Sequence, residues 1–227
     1  MGPSEKNHSG FSKSIGLWLG ILLFSSGPLP ACLAQKPLSI SQSSAATIAK
    51  AAESQIGITM SYDPSYVKLS YPGGDVPKST GVCTDVVIRA LRAIGLDLQK
   101  TIHEDMSEHF AQYPNHWGLN RPDRNIDHRR VPNLARYFER HHQSFSVTSP
   151  DKEAFREGDI VAWDLGNGRQ HIGLVSAAQK QGIPLIIHNI GRGTRQEDVL
   201  FAYRIIGHYR LKGRSTQNSK PSPSLDS

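Results

Sequence analysis

Three side chains could do chemistry by their type and order. Cys83 lies in Gly81-Val82-Cys83-Thr84-Asp85-Val86-Val87, His171 opens the run His171-Ile172-Gly173-Leu174-Val175, and His188 closes Leu185-Ile186-Ile187-His188. The chain holds two cysteines, and Cys32 falls in an expected export signal, so Cys83 has no disulfide partner. A lone thiol in an exported protein is either a buried apolar filler or a reactive group. A thiol attacks as the thiolate, and a helix N-terminus assists its ionisation with about half a positive charge. The free N–H groups there could also hold an oxyanion. His171, at the start of a strand, is the natural base for Cys83. His188, or Asn189 beside it, is the natural orienter from the next strand. A thiol on a helix followed by polar groups on two successive strands is one way of building a cysteine nucleophile.

Other polar clusters carry two readings each. Asn125-Ile126-Asp127-His128-Arg129-Arg130 reads either as the solvated N-cap region of the next helix or as a substrate clamp. In the clamp, Arg129 or Arg130 grips a carboxylate bidentately. Asp159 after Gly158 reads as shaping the turn into its strand. The ten histidines form no HExxH or i, i+4 pair, which argues against zinc, and no metal or cofactor is expected.

The positioning elements follow from periodicity. Gln42 to Ile56 is Ala-rich at helical spacing, with Gly57 as its stop. Cys83 to Ile94 carries the apolar stripe Val86, Val87, Ala90, Leu91, Ile94, and Gly95 ends it. Leu98 to Gln112 is expected as a third helix, 113–130 as a loop, and Pro132 to His142 as a helix with Pro in its first turn. From Phe145 the period changes to two. Ile160–Leu165, His171–Ser176, Pro184–His188 and Phe201–Tyr209 read as strands, with turns at Gly166-Asn167-Gly168 and Gln181-Gly182. Helices followed by a strand meander predict an α+β domain, with the Cys83 helix packed on a small antiparallel sheet.

Residues 1–34 read as a secretory signal, with Lys6 and Lys13 before an apolar core from Ile15 to Phe24. That core is shorter than the ~20 residues of a bilayer span. Cys32-Leu33-Ala34 suits ordinary cleavage, whereas Leu29-Pro30-Ala31-Cys32 suits a lipobox with Cys32 lipidated. The protein is therefore expected in the periplasm or secreted, or held at a membrane through Cys32. Residues 35–44 read as a flexible linker, 45–211 as the folded domain, and 212–227, rich in Ser, Pro, Lys and Gln, as a disordered tail. The formal charge is +6. It suits either a polyanionic envelope partner or plain solubility. The scattered basic residues, without aromatic interleaving, argue against nucleic acid. Oligomeric state has no signal.

Longer stretches resemble a known family. Tyr71-Pro72-Gly73-Gly74, Cys83, Glu157-Gly158-Asp159-Ile160-Val161-Ala162-Trp163, His171-Ile172-Gly173-Leu174-Val175 and Ile187-His188 are similar to the motifs of NlpC-type cell-wall cysteine peptidases. Closer still, Gly81-Val82-Cys83-Thr84-Asp85, Asn125 through Leu134 and Gly207-His208-Tyr209-Arg210 resemble the bacterial YijF-like domain of unknown function. That domain stands in the papain-like group with NlpC-type and CHAP hydrolases. The resemblance spans about Ala45 to Leu211. It implies a papain-like (NlpC-like) fold, an exported location and cleavage of an amide bond in peptidoglycan peptides. Cys83 would be the nucleophile, His171 the base and His188 the orienter, with Tyr71 or nearby backbone at the oxyanion. This sequence departs from the NlpC pattern in having Thr84-Asp85 after the cysteine instead of Ser-Gly, and in its larger 100–142 segment. A cysteine ahead of the histidine argues for the peptidase or amidase branch over the permuted lipid acyltransferases.

Overall fold

The Ala-rich segment forms helix α1, Ile40–Glu53, so helix replaces the expected linker from Ile40 onward and ends a turn early. The computed structural model describes residues 40–148 and 151–211. The expected signal 1–34, the remainder of the linker, Cys32 and the tail 212–227 lie outside the described residues. Strands β1 (Ser61–Tyr62) and β2 (Thr80–Gly81) form a short parallel pair that leads into α2, Cys83–Arg92. Helix α3 is Leu98–His109, extended by a 3-10 turn at Phe110–Gln112. The expected loop 113–130 contains a 3-10 turn at Asp127–Arg129 that runs into α4, Val131–His141, with Pro132 in its first turn.

The meander follows as β3 (Gln143–Ser144), β4 (Ile160–Asp164), β5 (Gln170–Lys180), β6 (Ile183–His188), β7 (Arg195–Glu197) and β8 (Arg204–Arg210). Five antiparallel pairings join them in the order β3-β8-β4-β5-β6-β7. The turn signals work through backbone conformation. Gln181 and Gly182 take φ of 52° and 76°, the left-handed pair that a two-residue hairpin requires. The outcome is an α+β domain with a small antiparallel sheet.

Strand alternation divides the sheet into two layers. Ile160, Ala162, Ile172, Leu174, Ile187 and Tyr209 pack against the helices, with Val86, Val87, Leu91, Leu134 and Phe138 in the same cluster. Phe155, Val161, Trp163, Val175, Ile186, Leu200 and Ile205 form a smaller layer. Cys83 belongs to the helix-side cluster, so the first turn of α2 is seated against β5. Among the described residues, no helix is long and apolar enough to cross a membrane.

Candidate functional site

Helix α2 lacks a conventional side-chain cap, because Val82 occupies the N-cap position. Asp85 compensates from the third helical position: its Oδ2 accepts the Val82 N–H at 2.7 Å. That carboxylate is itself held by Arg129, whose Nε and Nη2 donate at 3.0 and 2.9 Å in a bidentate fork. Both side chains are almost wholly buried, 4% and 2% exposed. Arg129 also donates to the carbonyls of Ser65 and Asp63, at 3.1 and 3.2 Å, tying the segment after β1 to the helix start.

Cys83 is the first residue of α2 and is 4% exposed. Its sulfur lies beside the Ile172 backbone and the Tyr62 hydroxyl. Burial pushes the thiol up to about 11. The Asp85 carboxylate adds to the rise, while the backbone groups of Ile172, Thr84 and Cys83 oppose it. Burial, followed by the charges of Cys83 and Asp85, raises Tyr62 to about 12, against the lowering pull of Arg129. The resting site therefore holds a thiol rather than a preformed thiolate.

His171 and His188 meet across β5 and β6. His171 Nε2 lies 2.8 Å from His188 Nδ1, and His188 Nε2 lies 3.0 Å from Glu197 Oε2 on β7. Gly173 makes room for this pair. A Cβ there would sit 2.8 Å from Ile186 Cγ2 and 3.1 Å from the His188 Cβ. Trp163, opposite His171 in the β4–β5 register, stacks on its ring at 5.8 Å. Burial holds His171 down to about 3, and His188 lowers it further. Burial also lowers His188, against the opposing pull of Glu197. Ile172 packs on the helix side with Cys83, whereas His171, its neighbour on β5, points to the face of Trp163. Among the described residues no hydrogen bond joins sulfur to imidazole.

A cavity of about 580 Å³ opens at the thiol, lined by Cys83, Tyr62, Trp117, Arg130 and Gln170 among others. Arg130 lies 3.9 Å over the Trp117 ring and pairs with Asp127 Oδ1 at 2.9 Å. Asp127 is buried and accepts the Asp123 N–H at 2.6 Å, and burial raises its carboxyl. His128 is buried with Nδ1 unpartnered, and burial holds it down to about 4. Among the described residues no group of three His, Cys, Asp or Glu is placed to hold a metal ion.

The expected residues therefore divide. His171 and His188 come together on one face of β5 and β6, the face of Trp163 and Val175, while Cys83 lies with Ile172 on the helix side of the sheet. Arg129 closes its fork on Asp85, so it braces the helix start and has no free fork for a ligand carboxylate. Asn189 faces the Cys83 loop: its Nδ2 donates to the carbonyls of Ser61 and Gly81, at 3.2 and 3.0 Å, stitching β1 to β2. Tyr71 packs edge-on against His103 of α3 at 5.3 Å, and Tyr62 is the tyrosine at the sulfur. Tyr62, Asp85 and Glu197 are the contributors that sequence reasoning missed. Asp159 does more than shape a turn: its carboxylate takes His208 Nε2 at 2.7 Å and Arg210 Nε at 2.6 Å, with the His208 ring stacked between Phe145 and Phe155.

An α+β domain with this arrangement matches a family described as "Domain of unknown function (DUF1287)" over residues 49–211, and the chain belongs to that family. It is similar to "Uncharacterized protein YijF" of Escherichia coli (strain K12), 58% identical over 164 residues, which cover 72% of this chain and 80% of that protein.

Proposed function

We propose that this chain is an exported cysteine hydrolase with a papain-like, NlpC-like active site, cleaving an amide bond in peptidoglycan peptides. The observation that carries the reading is Cys83 at a helix N-terminus on a cavity, with the hydrogen-bonded His171–His188 pair one residue along β5 from Ile172, on the other face of the sheet. In the reaction the thiol proton passes to His171 as the sulfur adds to the amide carbonyl carbon. The N–H groups at the start of α2 and the Tyr62 hydroxyl face the charge that develops on oxygen. The C–N bond then breaks and His171 returns the proton to the leaving amine. Water, deprotonated by the same imidazole, hydrolyses the thioester and regenerates the thiol. Because the resting thiol is protonated and His171 points to the other face of β5, its action as general base requires the start of β5 to turn toward the sulfur when substrate binds.

Wall peptides carry free carboxylates, and cationic side chains are available for them. Arg130 lines the cavity at Cys83, and Arg121 and Arg124 line a second cavity of about 670 Å³ beyond Tyr66. The expected periplasmic or secreted location, with or without a lipid on Cys32, is part of the same proposal. The test is incubation with purified peptidoglycan fragments, following the release of new amino groups. Loss of release in Cys83→Ser and His171→Ala is the expected result. Undiminished release by Cys83→Ser ends the cysteine mechanism. Binding of fragments with no release by the parent protein points to a non-catalytic wall-binding module on the same fold.

A further inference from the structure

The hydrogen-bonded His171–His188 pair extends one residue further, to Glu197 on β7. Glu197 stands at the end of β7, where only three residues, Arg195–Glu197, pair with β6. Its Oε2 lies 3.0 Å from His188 Nε2, and that imidazole is 1% exposed against 29% for the carboxylate. The directions of these bonds follow from what each atom can do. An ionised carboxylate only accepts, so His188 Nε2 must carry the proton. A neutral imidazole with Nε2–H has a bare Nδ1, which must accept. His171 Nε2 is the atom 2.8 Å from it, so His171 Nε2 must donate. His171 is then left with Nδ1 as its single unprotonated nitrogen. Among the described residues no hydrogen bond engages that Nδ1.

We infer that Glu197 is a positioning residue that sets the tautomers of both histidines in series and leaves His171 Nδ1 as the one proton-accepting nitrogen of the pair. The carboxylate touches neither the thiol nor the cavity lining and acts only through His188. Burial keeps both rings neutral, as the relay requires. Without Glu197, His188 is free to carry its proton on Nδ1. It would then donate to His171 Nε2, and the His171 proton would move to Nδ1, the position that has to be bare for a base. Gly173 and Trp163 fix the ring positions, while Glu197 fixes the protons.

This inference rests on the cysteine-hydrolase reading for its purpose, but its test is independent of turnover. Imidazole nitrogen chemical shifts of His171 and His188, recorded on the ¹⁵N-labelled full chain, report each tautomer directly. The expected result is Nε2–H with bare Nδ1 at both residues. In Glu197→Ala, His171 is expected to shift toward the Nδ1–H form. Glu197→Gln, whose amide oxygen can accept the same bond, restores most of the Nε2–H form. A wild-type His171 with its proton on Nδ1, or a Glu197→Ala protein with both tautomers unchanged, overturns the inference. Where Glu197→Ala fails to fold, the wild-type spectrum and Glu197→Gln decide. Tautomers as expected in a protein that cleaves no wall fragment would retain the relay and remove the hydrolase reading.

Discussion

Arg129→Leu isolates the brace at the helix start. The substitution removes both arms of a bidentate ion pair whose side chains are 2% and 4% exposed, and it leaves Asp85 as a charge with no counterion. Breaking one side of such a buried pair costs about 3–5 kcal/mol, because the stranded charge keeps its desolvation penalty. The carbonyls of Asp63 and Ser65 also lose their donor, but both belong to a segment open to water and rehydrate at little cost. Against a stability of about 5–15 kcal/mol for a domain of this class, that is a large fraction. At a urea slope of about 2 kcal/mol/M, the unfolding midpoint should fall by about 2 M. Asp85→Asn in the same chain removes the stranded charge yet keeps an oxygen for the Val82 N–H, so the double variant should recover much of the loss. A midpoint shift below about 0.5 M at unchanged slope would refute the brace. So would a double variant no more stable than Arg129→Leu.

Other expectations concern His171, His128, Tyr62 and Gly173. His171 is held down to about 3 and His128 to about 4, whereas both titrate near 6.5 when unfolded. Below pH ~6.5 the unfolded chain therefore takes up protons that the fold refuses. Each site should lower stability by about 1.4 kcal/mol per pH unit down to its folded value, and His128→Asn should flatten the slope of stability against pH. A pH-independent midpoint between 6.5 and 4.5 would contradict this. Tyr62→Ala uncovers Cys83 and should speed its alkylation by iodoacetamide several-fold at pH 7; an equal or slower rate would remove Tyr62 from the sulfur. Gly173→Ala forces a Cβ to within 2.8 Å of Ile186 and 3.1 Å of His188, and should cost about 1–3 kcal/mol in urea unfolding. An unchanged midpoint would show that β6 yields freely there.

Much of the fold was legible because its signals are local. The stripe Val86, Val87, Ala90, Leu91 announced α2, and the turns at Gly166–Gly168 and Gln181–Gly182 divided β4, β5 and β6 at the observed places. Cys83, His171 and His188 could be singled out because each stands at the end of such an element. What escaped depends on contacts distant in sequence. Arg129 meets Asp85 across 44 positions, so its fork could not be distinguished from one awaiting a ligand. Strand β7 is three polar residues, Arg195, Gln196 and Glu197, with no apolar alternation to reveal it, and Glu197 went unnoticed with it. Tyr62 reaches the sulfur through a two-residue parallel pairing to Gly81, which has no periodicity to read. Tyr71 was favoured by a motif and lies instead against α3.

The central claim, that Cys83 forms a covalent acyl intermediate, is tested most directly by acid-quenching the protein during reaction with peptidoglycan fragments and measuring its intact mass. The account predicts a fragment-sized adduct on Cys83 as a thioester, removed by hydroxylamine and absent in Cys83→Ala and His171→Ala. New amino groups released by the parent protein with no adduct at any quench time, and equally by Cys83→Ala, would contradict it.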